Sequence, residues 1–456
     1  MRKEMFNHEI TILRDTYRRL LRRNAKINLI KLTGKTHPAD LAEVFRHFSK
    51  EEQIEIFSLM KENEHAAEFL VELDDALVIE LLENESYDRI ASIIEKAPTN
   101  DQSGILNILE DEKAQSIIEL LNAEEQEEIA EIMGYPDDSA GTLMNTEVFT
   151  LHESITAGEA IQTLQDQEGA EMVFYLYITD DDDRLVGVIS LRALTTTPSS
   201  TKLKDIMIKN IHSIRPETDQ EDVARIVAQY NFLAVPVLDS DSKLLGIVTV
   251  DNVVDVIREE ATEDFLRMAG AGKDREILLK SSWENAKARL PWLFASWIGG
   301  IVAASIIGAF ENMLVNIVAL AAFIPVILGM GGNIATQSST IIVRGMATGR
   351  VNIGGEIKLI FKEIKVGLIL GSLYGILLGI FAKITFTNAP DNLGFVVGLS
   401  ICASMIVAAT VGTIIPLILR KLDIDPAIAT GPFVTTSIDI LGVLFYFLIA
   451  GIFLKI

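Results

Sequence analysis

Residues 431–450 read GPFVTTSIDILGVLFYFLIA, twenty positions that are apolar except for two threonines, a serine and one carboxylate, Asp439. About 20 apolar residues in a helix cover the roughly 30 Å of a bilayer interior. Outward from this stretch the pattern repeats: apolar runs occupy 291–310, 313–342, 366–388, 393–419 and 431–454. Helices buried in soluble proteins rarely recur at such length with so few charges between them. A five-helix transmembrane domain is expected over 290–456.

The loops between the runs orient them. Arg344, Arg350, Lys358, Lys362 and Lys365 follow the second run, and Arg420 and Lys421 follow the fourth. The first loop has no Lys or Arg, and the third has only Lys383. Basic loops stay in the cytoplasm, so residues 1–290 are expected there and the C-terminus outside. The basic N-terminus has no continuous apolar segment or small-residue cleavage site before Leu70, so no cleaved signal peptide is expected. The expected location is a bacterial inner (plasma) membrane.

Charge divides along the same line. Residues 291–456 carry nine basic and seven acidic side chains, while 1–290 carry 31 and 57, a net of −26. Such a surface repels nucleic acid and attracts cations. The single cysteine, Cys402, excludes an intramolecular disulfide.

Within the runs, polar groups cluster. A carboxylate such as Asp439 costs a few kcal/mol inside a bilayer, about 2.5–3.5 on insertion scales, and normally faces a partner, water or an ion. Thr435, Thr436 and Ser437 stand beside it, and Asp425 precedes the run, with Pro426 and Pro432 bracketing a broken approach. The second run, FIPVILGMGGNIATQSSTIIVRG (323–345), has Pro325 and Gly329, Gly331 and Gly332 just before Asn333, Thr336, Gln337, Ser338, Ser339 and Thr340. An interrupted helix is expected there, because broken backbone at membrane depth is tolerated mainly where it lines a cavity. All six histidines precede residue 213, and these two clusters supply carboxylate, hydroxyl, amide and carbonyl oxygens with no sulfur or imidazole. Oxygen alone suits a hard cation such as Mg²⁺ or Ca²⁺, and Mg²⁺ keeps its waters well enough that one or two carboxylates suffice.

The soluble part contains an internal repeat. TLMNTEVFTLHESITAGEAIQTL (142–164) matches DIMIKNIHSIRPETDQEDVARIV (205–227), and FYLYITDDDDRLVGVISLRAL (174–194) matches LAVPVLDSDSKLLGIVTVDNV (233–253). Met144 aligns with Met207 and Gly187 with Gly246. Each copy reads as strand, helix, strand, acidic turn, strand, helix. The repeat resembles a pair of CBS domains, which implies an adenosine-nucleotide site such as ATP at Tyr175, Arg192 and Phe232. Ahead of it, residues 1–135 form short amphipathic segments such as HPADLAEVFRHF and SKEEQIEIFSLM, which predict a helical solenoid. Behind it, 254–289 predicts a connecting helix, whose acidic end puts Asp255, Glu259 and Glu263 on one face with Glu260 and Asp264 beside it.

This order of parts, with P-x-x-x-G-x-G-G-N-x-x-x-Q over 325–337, Asp425-Pro426 and the 431–439 segment, resembles the MgtE family of bacterial magnesium channels. The resemblance implies a multidomain membrane protein: an all-α helical N-terminal domain (1–135), an α/β CBS-domain pair (136–256), a connecting plug helix (257–289) and a five-helix transmembrane domain (290–456). It implies a homodimer with its pore on the dimer axis, Asp439 as the selectivity residue, and Asp425 and Asn333 as pore neighbours. It further implies that cytosolic Mg²⁺ closes the pore by binding at Glu68, Asp101, Asp255, Glu260, Glu263 and Asp264. Three positions depart from the family pattern: Asn100 before Asp101, Asn252 after Asp251, and Thr336 where asparagine is common. A coupled divalent-cation exchanger and a nucleotide-sensing receptor are the rival readings. An enzyme is not expected, since there is no H-E-x-x-H and GAGKD (270–274) lacks the Ser/Thr of a phosphate-binding loop.

Overall fold

The computed structural model describes residues 2–166, 174–272, 277, 280–351, 355–422 and 424–454. The chain divides into two compact units, Met1–Arg258 and Glu259–Ile456.

In the first unit, ten helices follow one another from Arg2–Arg22 to Ala123–Ile132. Their starts follow from local chemistry. Ser49 and Glu52 form a reciprocal capping box, and the Asn122 side chain accepts from the Glu124 and Glu125 N–H groups. Each such cap satisfies donors that the first helical turn leaves free. Alternate helices stack: Pro38–Phe45 on Asn63–Val71, that on Tyr87–Ile94, and that on Asp111–Ile118. Phe45, Phe57 and Phe69 fill the interior, with Phe45 and Phe69 edge to face at 5.0 Å.

The repeat folds as two small sheets. β1 (Thr150–His152) runs parallel to β2 (Tyr175–Thr179), which pairs antiparallel with β3 (Leu185–Ser190); β4 (Ala234–Leu238) pairs antiparallel with β5 (Leu244–Thr249). The acidic turns are built alike. Asp180 accepts from the Asp182 and Arg184 amides, Asp239 accepts from those of Asp241 and Lys243, and Asp183 and Ser242 take left-handed backbone. The copies also exchange parts. A Cβ on Gly187 would sit 2.3 Å from the Met207 sulfur, and one on Gly246 would sit 3.1 Å from the Met144 sulfur. The aligned methionine of each copy therefore packs on the aligned glycine of the other.

The helix α1 (Val250–Met268) holds the boundary between the units; its early residues Val253 and Val256 join the core of the second copy. The second unit then contains α2 (Ser282–Ala309), α3 (Ala319–Ala347), α4 (Glu356–Thr385), α5 (Leu393–Lys421) and α6 (Pro432–Leu454), all five long and apolar enough to cross a membrane. Two expectations change here. The single connecting helix expected over 254–289 is α1 alone, because a Ser281–Glu284 capping box starts α2 at Ser282 and makes KSSWENAKARL the polar opening of the first span. The interruption expected in 323–345 is absent: α3 runs unbroken through Pro325 and Gly329–Gly332. Without water, a helix keeps its own hydrogen bonds wherever it can. One of the glycines is a packing residue, since a Cβ on Gly331 would lie 2.9 Å from the Ile438 side chain. The break before α6 is present, as a 3-10 turn at Pro426–Thr430.

A glycine seam joins α4 to α5. Gly367, Gly371, Gly375 and Gly379 recur every fourth residue and so share one face of α4. A Cβ on Gly371 would lie 2.9 Å from the Cys402 carbonyl oxygen, one on Gly375 2.5 Å from that of Gly398, and one on Gly379 2.6 Å from that of Gly394. The backbones touch, as expected where dispersion rather than hydrophobicity holds helices together. Gly375→Val is expected to destabilise the domain by about 2–3 kcal/mol through overpacking. A lower melting temperature of the purified protein in detergent checks this; an unchanged one means the helices separate without cost.

Candidate ion path and gate

Asp439 lies two turns into α6 and is half-buried. Its neighbours are less available than their sequence implies. The Thr435 hydroxyl donates to the Gly431 or Pro432 carbonyl, and the Ser437 hydroxyl donates to the Phe433 carbonyl at 2.7 Å. The Thr436 methyl occupies the space that a Cβ on Gly299 of α2 would take. The carboxylate is therefore the strong ligand of this segment.

On α3, Gly329, Asn333 and Gln337 are exposed at successive turns, flanked by half-buried Gly332 and Thr336. Cβ atoms on Gly329 or Gly332 would meet nothing within 4 Å. Small and polar residues thus form a continuous stripe that the single chain leaves uncovered. On its opposite, buried face α3 packs on α6, where Gly331 meets Ile438, one residue before Asp439.

Asp425 has a different setting. One carboxylate oxygen accepts from the Ala427 N–H at 2.8 Å and caps the 3-10 turn, while the other pairs with Arg267 at the end of α1. Arg267 also pairs with Glu263, one turn earlier on its own helix. The backbones meet as well: a Cβ on Gly431 would be 3.6 Å from the Arg267 carbonyl oxygen, and one on Gly270 would be 3.3 Å from Pro432. The acidic end of α1 therefore rests on the turn that leads into α6.

Carboxylates crowd together here. Burial, then the Asp425 and Glu260 charges, push the Asp264 carboxyl up to about 6, against the pull of Arg267 and Arg344. Carboxylate oxygen is the ligand that a hard divalent cation prefers. Among the described residues, no three His, Cys, Asp or Glu side chains converge as a ready-made metal cage.

The other expected sensing residues belong to the first unit. Burial and the nearby Asp255 charge push the Asp101 carboxyl up to about 6. Asn100 donates to Asp101 at 2.9 Å, so the residue that departs from the family pattern replaces a repulsive charge with a hydrogen bond. Asp255 also pairs with Arg258 at 3.5 Å. Glu68 is exposed, with His65 as its neighbour at 3.9 Å. In the repeat module, Tyr175 opens β2, Arg192 is exposed one residue into the helix Leu191–Thr196, and Phe232 stacks on Tyr230 at 5.4 Å. Tyr230 in turn stacks on His212 at 4.4 Å, making a three-ring face that the repeat pattern alone did not single out. Lys273 and Asp274 of the GAGKD run lie outside the described residues.

Arg267, which bridges Glu263 and Asp425, does not stand out in the sequence pattern. Its signal is present: it stands four residues after Glu263, the spacing of a helical ion pair.

Together these features define a polytopic membrane transport protein, with a polar path among its spans and helical and CBS-type domains ahead of them. A family model described as a divalent cation transporter matches residues 324–449, one for the MgtE intracellular N domain matches 36–138, and the CBS domain matches 140–198 and 203–259. Magnesium transporter MgtE of Bacillus subtilis is 34% identical over 437 residues, covering 95% of this chain and 96% of that protein. The Enterococcus faecalis protein of the same name is 39% identical over 334 residues, covering 73% of each. A crystal structure of the cytosolic domain of the Mg²⁺ channel MgtE in complex with ATP aligns at a TM-score of 0.51 and 31% identity, covering 53% of this chain and 99% of that one. The chain belongs to the MgtE family of divalent cation transporters, and it is not an enzyme.

Proposed function

We propose that this chain carries Mg²⁺ into the cell along the stripe of α3 and past Asp439, and that cytosolic Mg²⁺ closes the path by docking the end of α1 on the Asp425 turn. The observation that carries the gate is the Arg267-bridged cluster, in which burial and the Asp425 and Glu260 charges hold the Asp264 carboxyl up at about 6. Removing the ion restores repulsion among Glu260, Glu263, Asp264 and Asp425, which favours release of α1. Asp101 and Asp255 supply a second acidic pair, between the solenoid and the start of α1, that an ion would hold together in the same way. Glu68, exposed on the solenoid, is a further candidate ligand for cytosolic Mg²⁺.

The uncovered stripe supports a homodimer. Asn333 and Gln337 cannot face hydrocarbon without losing their hydrogen bonds. A second copy lining the same path would cover them and bring a second Asp439. The basic loops after α3 and α5 support a cytoplasmic soluble part and an outward C-terminus. The aromatic face of His212, Tyr230 and Phe232, with Tyr175 and Arg192, supports an ATP site in the CBS pair, and the related cytosolic domain was solved in complex with ATP.

Flux into liposomes tests the reading, with the soluble part facing a chamber of set Mg²⁺. Influx that falls as Mg²⁺ rises on that side is the expected result. Influx that ignores this Mg²⁺ removes the gate and leaves the transport.

A further inference from the structure

Among the described residues, one buried carboxylate has no part in the reading above. Glu363 of α4 is only 5% exposed, and the Ser338 hydroxyl of α3 donates to its carboxylate at 2.9 Å. Ser338 is buried too, on the side of α3 away from the stripe: five residues separate it from Asn333, a turn of about 140° around the helix.

The pair sits within a layer. Toward the midplane, Ile334 and Ala335 of α3 meet Met405, Ala408 and Ala409 of α5, with Leu370 of α4 against them. Toward the cytoplasmic end, Ile342, Val343 and Met346 of α3 meet Leu417, with Leu359 and Ile360 of α4 against them. Between these apolar clusters lie Ser338, Ser339, Glu363 and Thr413, all buried. The Thr413 hydroxyl is spent on its own helix, at the Ala409 carbonyl.

A carboxylate in this position is a poor choice for stability. Apolar side chains of similar volume in place of buried charged groups are often neutral or stabilising, while buried polar groups in some systems fix the register of packed helices. Beside the pair, Gly412 of α5 lies against the Ala335 backbone of α3, a contact with no side chain to fix the rotation. A rotation by one residue, about 100°, would carry Asn333 off the path.

We propose that Glu363, through Ser338, is a positioning residue that sets the rotation of α3 and so aims the Asn333–Gln337 stripe at the ion. The inference rests on the reading of that stripe as the ion path. Purified wild type, Glu363→Leu, Glu363→Gln, Ser338→Ala and the Glu363→Leu/Ser338→Ala double variant are compared in liposomes. Mg²⁺ and Co²⁺ influx and the melting temperature in detergent are measured for each.

Glu363→Leu is expected to keep or raise the melting temperature while losing about fivefold in Mg²⁺ flux or in the Mg²⁺/Co²⁺ flux ratio. Glu363→Gln, which still accepts from Ser338, stays within about twofold of wild type. Ser338→Ala loses flux in the same direction, and the double variant is no worse than Glu363→Leu alone, the signature of one coupled unit. Wild-type flux and ratio in Glu363→Leu overturn the proposal, as does a flux loss matched by a fall in melting temperature, or losses that multiply in the double variant. Asn333→Leu with Gln337→Leu run alongside separates the two levels: undiminished flux there overturns the path reading, and this inference with it.

Discussion

Asp439→Ala is expected to lower Mg²⁺ flux by about 100-fold, equivalent to about 2.7 kcal/mol, while the protein stays folded. The argument starts from ligand supply. The nearby threonine and serine hydroxyl protons on α6 are committed to backbone carbonyls, and Thr436 is packed against Gly299. Asparagine and glutamine on the stripe offer neutral oxygens only. A hydrated divalent ion entering low dielectric needs formal negative charge, and Asp439 is where α6 offers it. Asp439→Asn keeps the shape and the hydrogen-bonding capacity but not the charge. It is expected to lose nearly as much, which separates charge from geometry. Stability moves the other way: removing an intramembrane carboxylate relieves part of its insertion cost, so the melting temperature holds or rises. Wild-type flux in Asp439→Ala would place the selectivity step elsewhere on the path.

The five spans were legible because hydropathy acts over some 20 residues and tolerates errors at the ends. Those ends hid the rest. When charges mark its boundary the third apolar run begins at 366, yet α4 starts at Glu356, and Glu363 between Lys362 and Lys365 is inside the packed bundle. A helix entering a protein interior can bury a charged residue that a lipid-facing helix could not, and composition does not tell the two apart. Similarly, KSSWENAKARL reads as part of a connector because its side chains are polar, while its capping box makes it the opening of α2.

Glycine meaning was legible only in part. The sequence shows a Gly-rich segment before Asn333, but whether it breaks the helix or packs it depends on neighbours from α5 and α6. The glycine seam of α4 has a regular four-residue spacing, and its role follows only once the Gly394 and Gly398 carbonyls lie across it. The repeat was plain from alignment of Met144 with Met207 and Gly187 with Gly246. That these four residues interlock between the copies is a tertiary fact, which pairwise similarity within a chain cannot carry.

Arg267→Gln is expected to raise the cytosolic Mg²⁺ needed for half-closure by about tenfold, as a charge change of one unit at a partly buried ion-paired site. The sign follows from the charges around the docked end of α1. Without Arg267 the cluster loses one positive charge, and Asp264, already held up at about 6, faces Asp425 with less relief. Docking then costs more, so more of the ion is needed to hold it. Arg267→Lys restores the charge but not the two-armed bridge from Glu263 to Asp425, because an ammonium is a point donor and a guanidinium is a planar fork. It should close at a concentration between the other two. Flux without cytosolic Mg²⁺ should be the same in all three, since the released helix makes no use of the bridge. The opposite shift, closure at lower Mg²⁺ in Arg267→Gln, would mean that the guanidinium competes with the ion for Glu263 and Asp425, and Arg267 would then hold the path open rather than shut.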